Sequence, residues 1–394
     1  MENIKSPGAY GPAYALGRRV CRSLAKKYEF ETDLIPEIGE PYVMMSNHVT
    51  ESDQIFTCLA SPRPMFYVCG EHLLRGKYSL PLKVLANPIP VEKGKSSLSA
   101  VREMIRRIRA GQSIMIFPEG RRSYHGRTLP QPEALGKFVR QAGCALVTYR
   151  IKGGFFVQAR WSRKKRLGPV KGQVVGVYSS EELKTMTPAE ITALINRDIY
   201  MDAYEEQRKL MWTYEGGDPA EGMEKYLFKC PVCGAYDEMW AKGEEFGCSA
   251  CGMKGRIDEH GFLVSTDDKP LPFDNTYDWT RWMEKEFDSL VENSGSDQLL
   301  FTEQSATLFV KDDNYQDRDV LTADIQLYRD RMVMGDMEFR FTDIPSLTII
   351  YSDEMFFTHK GVYYGMRGDL FHAWKCARLW QLEQGIAHDP TREI

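Results

Sequence analysis

The chain has 394 residues and is 43% hydrophobic, enough length for two or three domains and enough apolar matter to fill their cores. No run approaches the ~18 apolar residues of a membrane span, and the N-terminus lacks the apolar core and cleavage site of a signal peptide, so a cytoplasmic protein is expected. The net charge of −4 conceals a split: residues 1–212 carry 33 Lys and Arg against 20 Asp and Glu (+13), and residues 213–394 carry 18 against 35 (−17). A basic front half suits anionic substrates or an anionic membrane surface, while an acidic back half argues against nucleic-acid binding there.

Residues 12–28 predict an amphipathic helix. Leu16, Val20 and Leu24 recur every four residues, with Ala13, Gly17, Cys21 and Tyr28 widening that face. Arg18, Arg22 and Lys26 line the opposite face, with Arg19 beside them. Such a helix lies at a membrane interface, although a helix packed on a core with a solvated basic edge would carry the same pattern.

The apolar run Tyr42-Val43-Met44-Met45 reads as a short buried strand, and Gln54 to Leu59 as a helix with Thr50 or Ser52 as its N-cap. Between them lies Asn47-His48-Val49-Thr50-Glu51-Ser52-Asp53. Residues five apart in one helix point ~140° away from each other, so His48 and Asp53 can meet only if the helix begins between them. A paired imidazole and carboxylate make a general base whose tautomer is fixed.

Strands are expected at Met65 to Cys69, Ile89 to Val91, Ser113 to Phe117 and Ala145 to Tyr149, with helices over Ser96 to Arg109 and Glu133 to Gln141. This order predicts an α/β fold with a largely parallel sheet, whose sites gather at the carboxyl ends of its strands. One strand runs into Pro118-Glu119-Gly120-Arg121-Arg122-Ser123, bringing two guanidiniums and a hydroxyl to the end of the sheet that holds His48. Arginine suits bidentate phosphate binding.

Asn-His-x4-Asp, a basic strand about forty residues later and Phe-Pro-Glu-Gly-x-Arg-Ser about seventy residues later together resemble the glycerolipid acyltransferase family, the PlsC-like or lysophosphatidate acyltransferases. The resemblance covers roughly residues 30–212. It implies that His48 deprotonates an acceptor hydroxyl, which attacks the thioester of acyl-CoA or acyl carrier protein, and that Asp53 orients His48. It also implies that Glu119, Gly120, Arg122 and Ser123 form the motif whose arginine meets the acceptor's phosphate, with Arg121 at the variable position as a further phosphate contact. Pro88-Ile89-Pro90-Val91-Glu92-Lys93 falls where the family has a second phosphate-binding arginine, and here Lys93 takes that place. Val147-Thr148 stands where the family's fourth block carries a proline. The family's chemistry needs neither a metal nor a covalent enzyme intermediate at this site.

Arg160, Arg163, Lys164, Lys165 and Arg166 surround Trp161 and Leu167, a cluster suited to lipid headgroups or the phosphates of coenzyme A. Thr187-Pro188-Ala189-Glu190 is a capping box with Pro at N1, opening a long helix to about Leu210 that closes a first domain over residues 1–212. A linker follows over 213–225.

Cys230-Pro231-Val232-Cys233 and Cys248-Ser249-Ala250-Cys251 are separated by fourteen residues, with Gly234 and Gly252 directly after each pair. Four thiolates so spaced close a tetrahedral structural zinc site, here in a ribbon over residues 226–262, with iron the alternative metal. The other cysteines (Cys21, Cys58, Cys69, Cys144 and Cys376) are expected to be free thiols.

Residues 273–294 suggest a helix docked on an apolar surface. Short strand-like runs then recur from Gln298 to Met366, and a helix closes the chain from about Leu370 to Glu383. That order resembles a pleckstrin-homology-like barrel over residues 297–386. Its acidity favours a protein contact over phosphoinositide binding. The whole reads as an acyltransferase held peripherally on the inner face of a membrane, acting on a phosphate-bearing lipid, most of all lysophosphatidate, without nucleic-acid partners. A catalytically inactive lipid-binding adaptor is the alternative.

Overall fold

A computed structural model describes residues 11–70, 87–91, 98–311, 316–350 and 353–387. Lys93 and the expected helix start at Ser96 lie outside them. The chain divides into two compact units, one drawn from Met1–Ala159 and Arg166–Gly216, the other from Arg160–Lys165 and Gly217–Ile394.

The first unit is a mixed α/β layer. In chain order it holds α1 (Gly11–Ala25), β1 (Phe30–Thr32), β2 (Tyr42–Ser46), α2 (Asp53–Ala60), β3 (Met65–Gly70), β4 (Ile89–Val91), α3 (Leu98–Arg109) and β5 (Ser113–Ile116). It continues with α4 (Ala134–Ala142), β6 (Ala145–Lys152), α5 (Gly154–Val157), β7 (Val170–Tyr178), α6 (Ser180–Thr185), α7 (Pro188–Ile199) and α8 (Ala203–Leu210). The described strands run in the order β1-β7-β6-β2-β5-β3-β4, all pairs parallel except β6 with β7. Every residue of β2 is buried, as a continuous apolar run at the centre of a two-sided parallel sheet requires. On one face Val43, Ile114 and Leu146 meet Met104, Ile105 and Ile108 of α3, Phe138 and Val139 of α4, and Ile191 and Ile195 of α7.

Two elements depart from the sequence expectation. The helix opened by the Thr187 capping box stops at Ile199. Thr128 draws Met201 out of helical geometry, donating its N–H to the Met201 carbonyl (2.9 Å) and accepting the Met201 N–H on its hydroxyl (3.1 Å). The side chain of Asp202 then caps α8 at Glu205 N.

The second departure is the docking face of α1. The Tyr14 hydroxyl donates to the carbonyls of Cys58 (3.1 Å) and Ser61 (3.2 Å), and Arg18 donates to Leu59 O (2.8 Å). These carbonyls end α2 and have no helical partner of their own, so α1 turns its donors toward them. Arg18, assigned by sequence to the outer basic face, is therefore an inward contact, and Tyr28 is buried. Leu16, Val20 and Leu24 are left 54%, 52% and 42% exposed.

The second unit begins with β8 (Met239–Lys242), β9 (Glu245–Cys248), β10 (Lys254–Ile257) and β11 (Leu263–Ser265), an antiparallel sheet in the order β11-β10-β9-β8. Helix α9 (Thr276–Glu292) follows. Next come β12 (Phe301–Lys311), β13 (Asp317–Leu327), β14 (Arg331–Met334), β15 (Met337–Arg340), β16 (Leu347–Ile350), β17 (Glu354–His359) and β18 (Val362–Arg367), then α10 (Ala373–Glu383). These strands form one antiparallel sheet in the order β15-β14-β13-β12-β18-β17-β16. Strand β12 is continuous across Ser305, with a register shift where that residue adopts φ +50.

Helix α9 packs against both sheets. Its Trp279 lies 5.8 Å from Phe246 of β9, and its Phe287 lies 6.1 Å from Phe228, 5.6 Å from Phe301 of β12 and 5.5 Å from Trp374, centroid to centroid. Buried Lys375 of α10 pairs with Glu303 of β12 (2.8 Å) and with Asp237, just beyond the first cysteine pair.

Candidate active site and metal centre

The end of β2 turns sharply into α2, and the corner between them carries His48. Its Nδ1 lies 2.8 Å from Asp53 Oδ2, and the same oxygen accepts the backbone N–H of Val49 (2.7 Å) and of Thr50 (3.0 Å). The helix does begin between His48 and Asp53, as their meeting requires. Ser52 stands at the N-cap position without a side-chain cap bond, while Thr50 Oγ1 accepts Ser52 N (3.3 Å). With Nδ1 held by the carboxylate, Nε2 is the nitrogen through which the ring can take up a proton.

The strand-end motif after β5 grips the same corner. Glu119 accepts the His48 N–H on Oε1 (2.9 Å) and the Leu129 N–H on Oε2 (3.2 Å). Burial pushes its carboxyl up to about 8, against the opposing pull of those two donors and of the nearby Arg121 charge. Gly120 has φ +67, a conformation that glycine adopts without strain. Ser123 donates its N–H to His48 O (2.9 Å) and its hydroxyl to Arg127 O (2.9 Å), so it braces the corner. Phe117 stacks on the imidazole at 4.3 Å. Arg122, a mostly buried guanidinium, reaches within 3.5 Å of Glu51, between His48 and Asp53 in sequence. The structure thus brings His48, Asp53, Glu119, Gly120, Arg122 and Ser123 together, and Arg121 is close enough to act on Glu119.

Two contributors carried no role in the sequence reading. Asn47, fully buried, accepts Ile151 N on Oδ1 (2.8 Å) and donates from Nδ2 to Ile151 O (3.0 Å). Gly154 opens α5 where a Cβ would come 2.8 Å from Val49, so only glycine lets that backbone approach the corner. Thr148, in the position of the expected proline, donates to Asp198 (2.8 Å), which Tyr178 also reaches at 2.7 Å. The sequence signals available for Asn47 were its place in Asn-His-x4-Asp and an amide directly after a buried strand.

The basic cluster at 160–166 is engaged within the protein. Arg160 donates to Ile349 O (2.9 Å), Arg163 pairs with Asp353 (3.0 Å), Lys164 pairs with Asp218, and Arg166 donates to Tyr214 O (2.6 Å). Arg160 and Arg166 are thus held inside the fold, while Arg163 and Lys164 stay largely exposed within their ion pairs.

In the second unit, the Sγ atoms of Cys230, Cys233, Cys248 and Cys251 all lie within 4.8 Å of one another. Cys230 and Cys251 are 3.8 Å apart, as are Cys233 and Cys248. A tetrahedron with metal–sulfur bonds of ~2.3 Å has edges of ~3.8 Å, so the four-sulfur set fits a metal ion. The two pairs are built alike. Gly234 and Gly252, both at φ +74, donate to the carbonyls of Cys230 (3.0 Å) and Cys248 (2.9 Å). In turn, Cys230 N donates to Ala235 O (2.9 Å) and Cys248 N to Met253 O (3.0 Å).

Residues 27–152 match the family model described as Acyltransferase, a span that contains the whole corner, and the chain carries an acyltransferase enzyme domain there. The structure is similar to the crystal structure of the 1-acyl-sn-glycerophosphate (LPA) acyltransferase PlsC from Thermotoga maritima, with 17% identity, 48% of this chain and 77% of that one covered, and a TM-score of 0.39. No helix among the described residues is long and apolar enough to cross a membrane.

Proposed function

We propose that this acyltransferase moves a fatty acyl group from a thioester, acyl-CoA or acyl carrier protein, to the hydroxyl of a phosphate-bearing lipid, with lysophosphatidate the leading acceptor. The observation that carries the reading is the 2.8 Å contact between His48 Nδ1 and Asp53 Oδ2. Nε2 of His48 takes the hydroxyl proton as the acceptor oxygen attacks the thioester carbonyl. The tetrahedral adduct collapses, the carbon–sulfur bond breaks, and the imidazolium returns the proton to the departing thiolate. Asp53 stabilises the imidazolium between these steps. A thioester is already activated, so most of the rate comes from holding two substrates in line and raising the nucleophilicity of one oxygen.

Arg122, aided by Arg121 and Lys93, holds the acceptor's phosphate beside His48. Arg122→Ala should raise the acceptor KM and leave the donor KM near wild type. Thiol release across lysolipids with and without a phosphomonoester tests this directly, and an Arg122→Ala defect confined to the donor would refute the assignment.

The exposed stripe Leu16, Val20 and Leu24 seats α1 in an anionic membrane surface, with Arg19 and Arg22 beside it. This fits a cytoplasmic protein bound peripherally at the inner face. The cysteine set of the ribbon holds zinc. Four sulfurs fill its coordination shell, so the metal supplies folding free energy and no chemistry at His48. A four-strand meander joined to a three-strand meander through β12 and β18, with α10 after them, supports a pleckstrin-homology-like reading of residues 297–386 as a protein-contact module.

A further inference from the structure

The regular pairing of β2 with β6 ends at Ser46, opposite Tyr149. At His48 the backbone has already left the sheet, since its N–H goes to Glu119 and its C=O receives Ser123. The residue between them is Asn47. Its carboxamide reaches the next rung of β6 that faces β2, accepting from Ile151 N and donating to Ile151 O. A side chain thus stands in for the missing ladder bonds at the point where the strand turns into the corner. Only a carboxamide offers an acceptor and a donor in that order. An aspartate would keep the acceptor and present a second oxygen to the Ile151 carbonyl, and an aliphatic residue would leave both buried polar groups unpaired.

We propose that Asn47 is a positioning residue for the proton transfer at His48. Its two bonds to Ile151 fix where the backbone departs from β6, while Glu119 and Ser123 fix the same departure from the β5 side. Asp53 orients the ring relative to its own loop; Asn47 places that loop relative to the sheet and so to the bound acceptor. The inference rests on the reading of His48 as the base.

The test uses the full chain with palmitoyl-CoA and lysophosphatidate in phosphatidylglycerol-containing vesicles, following thiol release. Asn47→Ala removes both bonds, and the isosteric Asn47→Asp removes only the donor. Misplacing the base by a fraction of an ångström to one ångström lowers kcat up to about 100-fold. Both variants should lose kcat on that scale with donor and acceptor KM held within about twofold, the pattern of a defect confined to the transition state. Hydrogen exchange should show the Ile151 amide still protected in Asn47→Asp and exposed in Asn47→Ala. A folded Asn47→Asp variant with wild-type kcat would overturn the role, as would losses that merely follow melting of both variants below the assay temperature. A wild-type chain that releases no thiol with lysophosphatidate or any other lysolipid would overturn the reading of His48 itself, and this role with it.

Discussion

One carboxylate oxygen, Oδ2 of Asp53, holds Nδ1 of His48 at 2.8 Å while accepting the amide hydrogens of Val49 and Thr50. The loop that joins the two residues is thereby closed on itself, and the ring is aimed by the same atom that closes it. Replacing Asp53 with Asn should cost activity and local order together. We expect a kcat lower by 10²- to 10⁴-fold, the usual range for a general base, with faster exchange at the Val49 and Thr50 amides. Unaltered turnover in Asp53→Asn would show that the contact is only a helix-start device.

Glu119 gives the first unit a distinct pH dependence. Its folded-state value of about 8 lies above that of an ordinary carboxyl, so between the two the folded chain binds the extra proton. The stability linked to this group is full below the ordinary carboxyl range and is lost as pH rises through about 8. Melting temperatures from pH 5 to 9 should therefore fall faster for wild type than for Glu119→Gln. Parallel curves would contradict it.

Glu303 works in the opposite direction. Hydrogen bonding from His372 and the charge of Lys375 overcome the effect of its burial and hold it down at about 2. Its contribution is present above the ordinary carboxyl range and lost as pH falls toward about 2. Glu303→Gln should destabilise the second unit at pH 7 by about 3 kcal/mol, as expected when one partner of a buried charge pair is removed. The penalty should vanish in acid. Urea melts followed by tryptophan fluorescence at pH 7 and at pH 2 measure both ends, and a pH-independent penalty would rule out the charge assignment.

Metal analysis of the purified chain should return one zinc per molecule. A strong chelator should then lower the melting transition of the second unit, because an isolated ribbon has little core of its own. Cobalt substitution should produce the thiolate charge-transfer bands of a four-sulfur site, and Cys233→Ser should weaken them. A metal-free chain with an unchanged melting curve would remove zinc from the description.

The exposed stripe of α1 makes the membrane contact testable without disturbing the core. Leu16→Glu with Val20→Glu should leave the melting temperature nearly unchanged and abolish sedimentation with anionic vesicles. Sedimentation equal to wild type would place the contact elsewhere.

Much of this site could be read in the letters because it is local. His48, Asp53 and the capping signals between them lie within one turn of chain, and the paired cysteines announce their own geometry through spacing and a following glycine. What stayed hidden depends on distant partners. Arg18 looked like part of a solvated edge because nothing near it in sequence says that α2 ends beside it with open carbonyls. The partners of the cations at 160–164, Asp218, Ile349 and Asp353, lie 54 to 190 positions away and so were not visible in the local sequence. Asn47 was visible as a letter, but its bonds to Ile151, 104 residues on, were not.

The most direct test is thiol release from palmitoyl-CoA by wild type and His48→Ala on vesicles containing lysophosphatidate, with folding of both checked by melting. We expect turnover by wild type, dependent on the phosphate-bearing acceptor, and none above background by a fully folded His48→Ala chain. Equal turnover by the two proteins would contradict the assignment of this imidazole as the base.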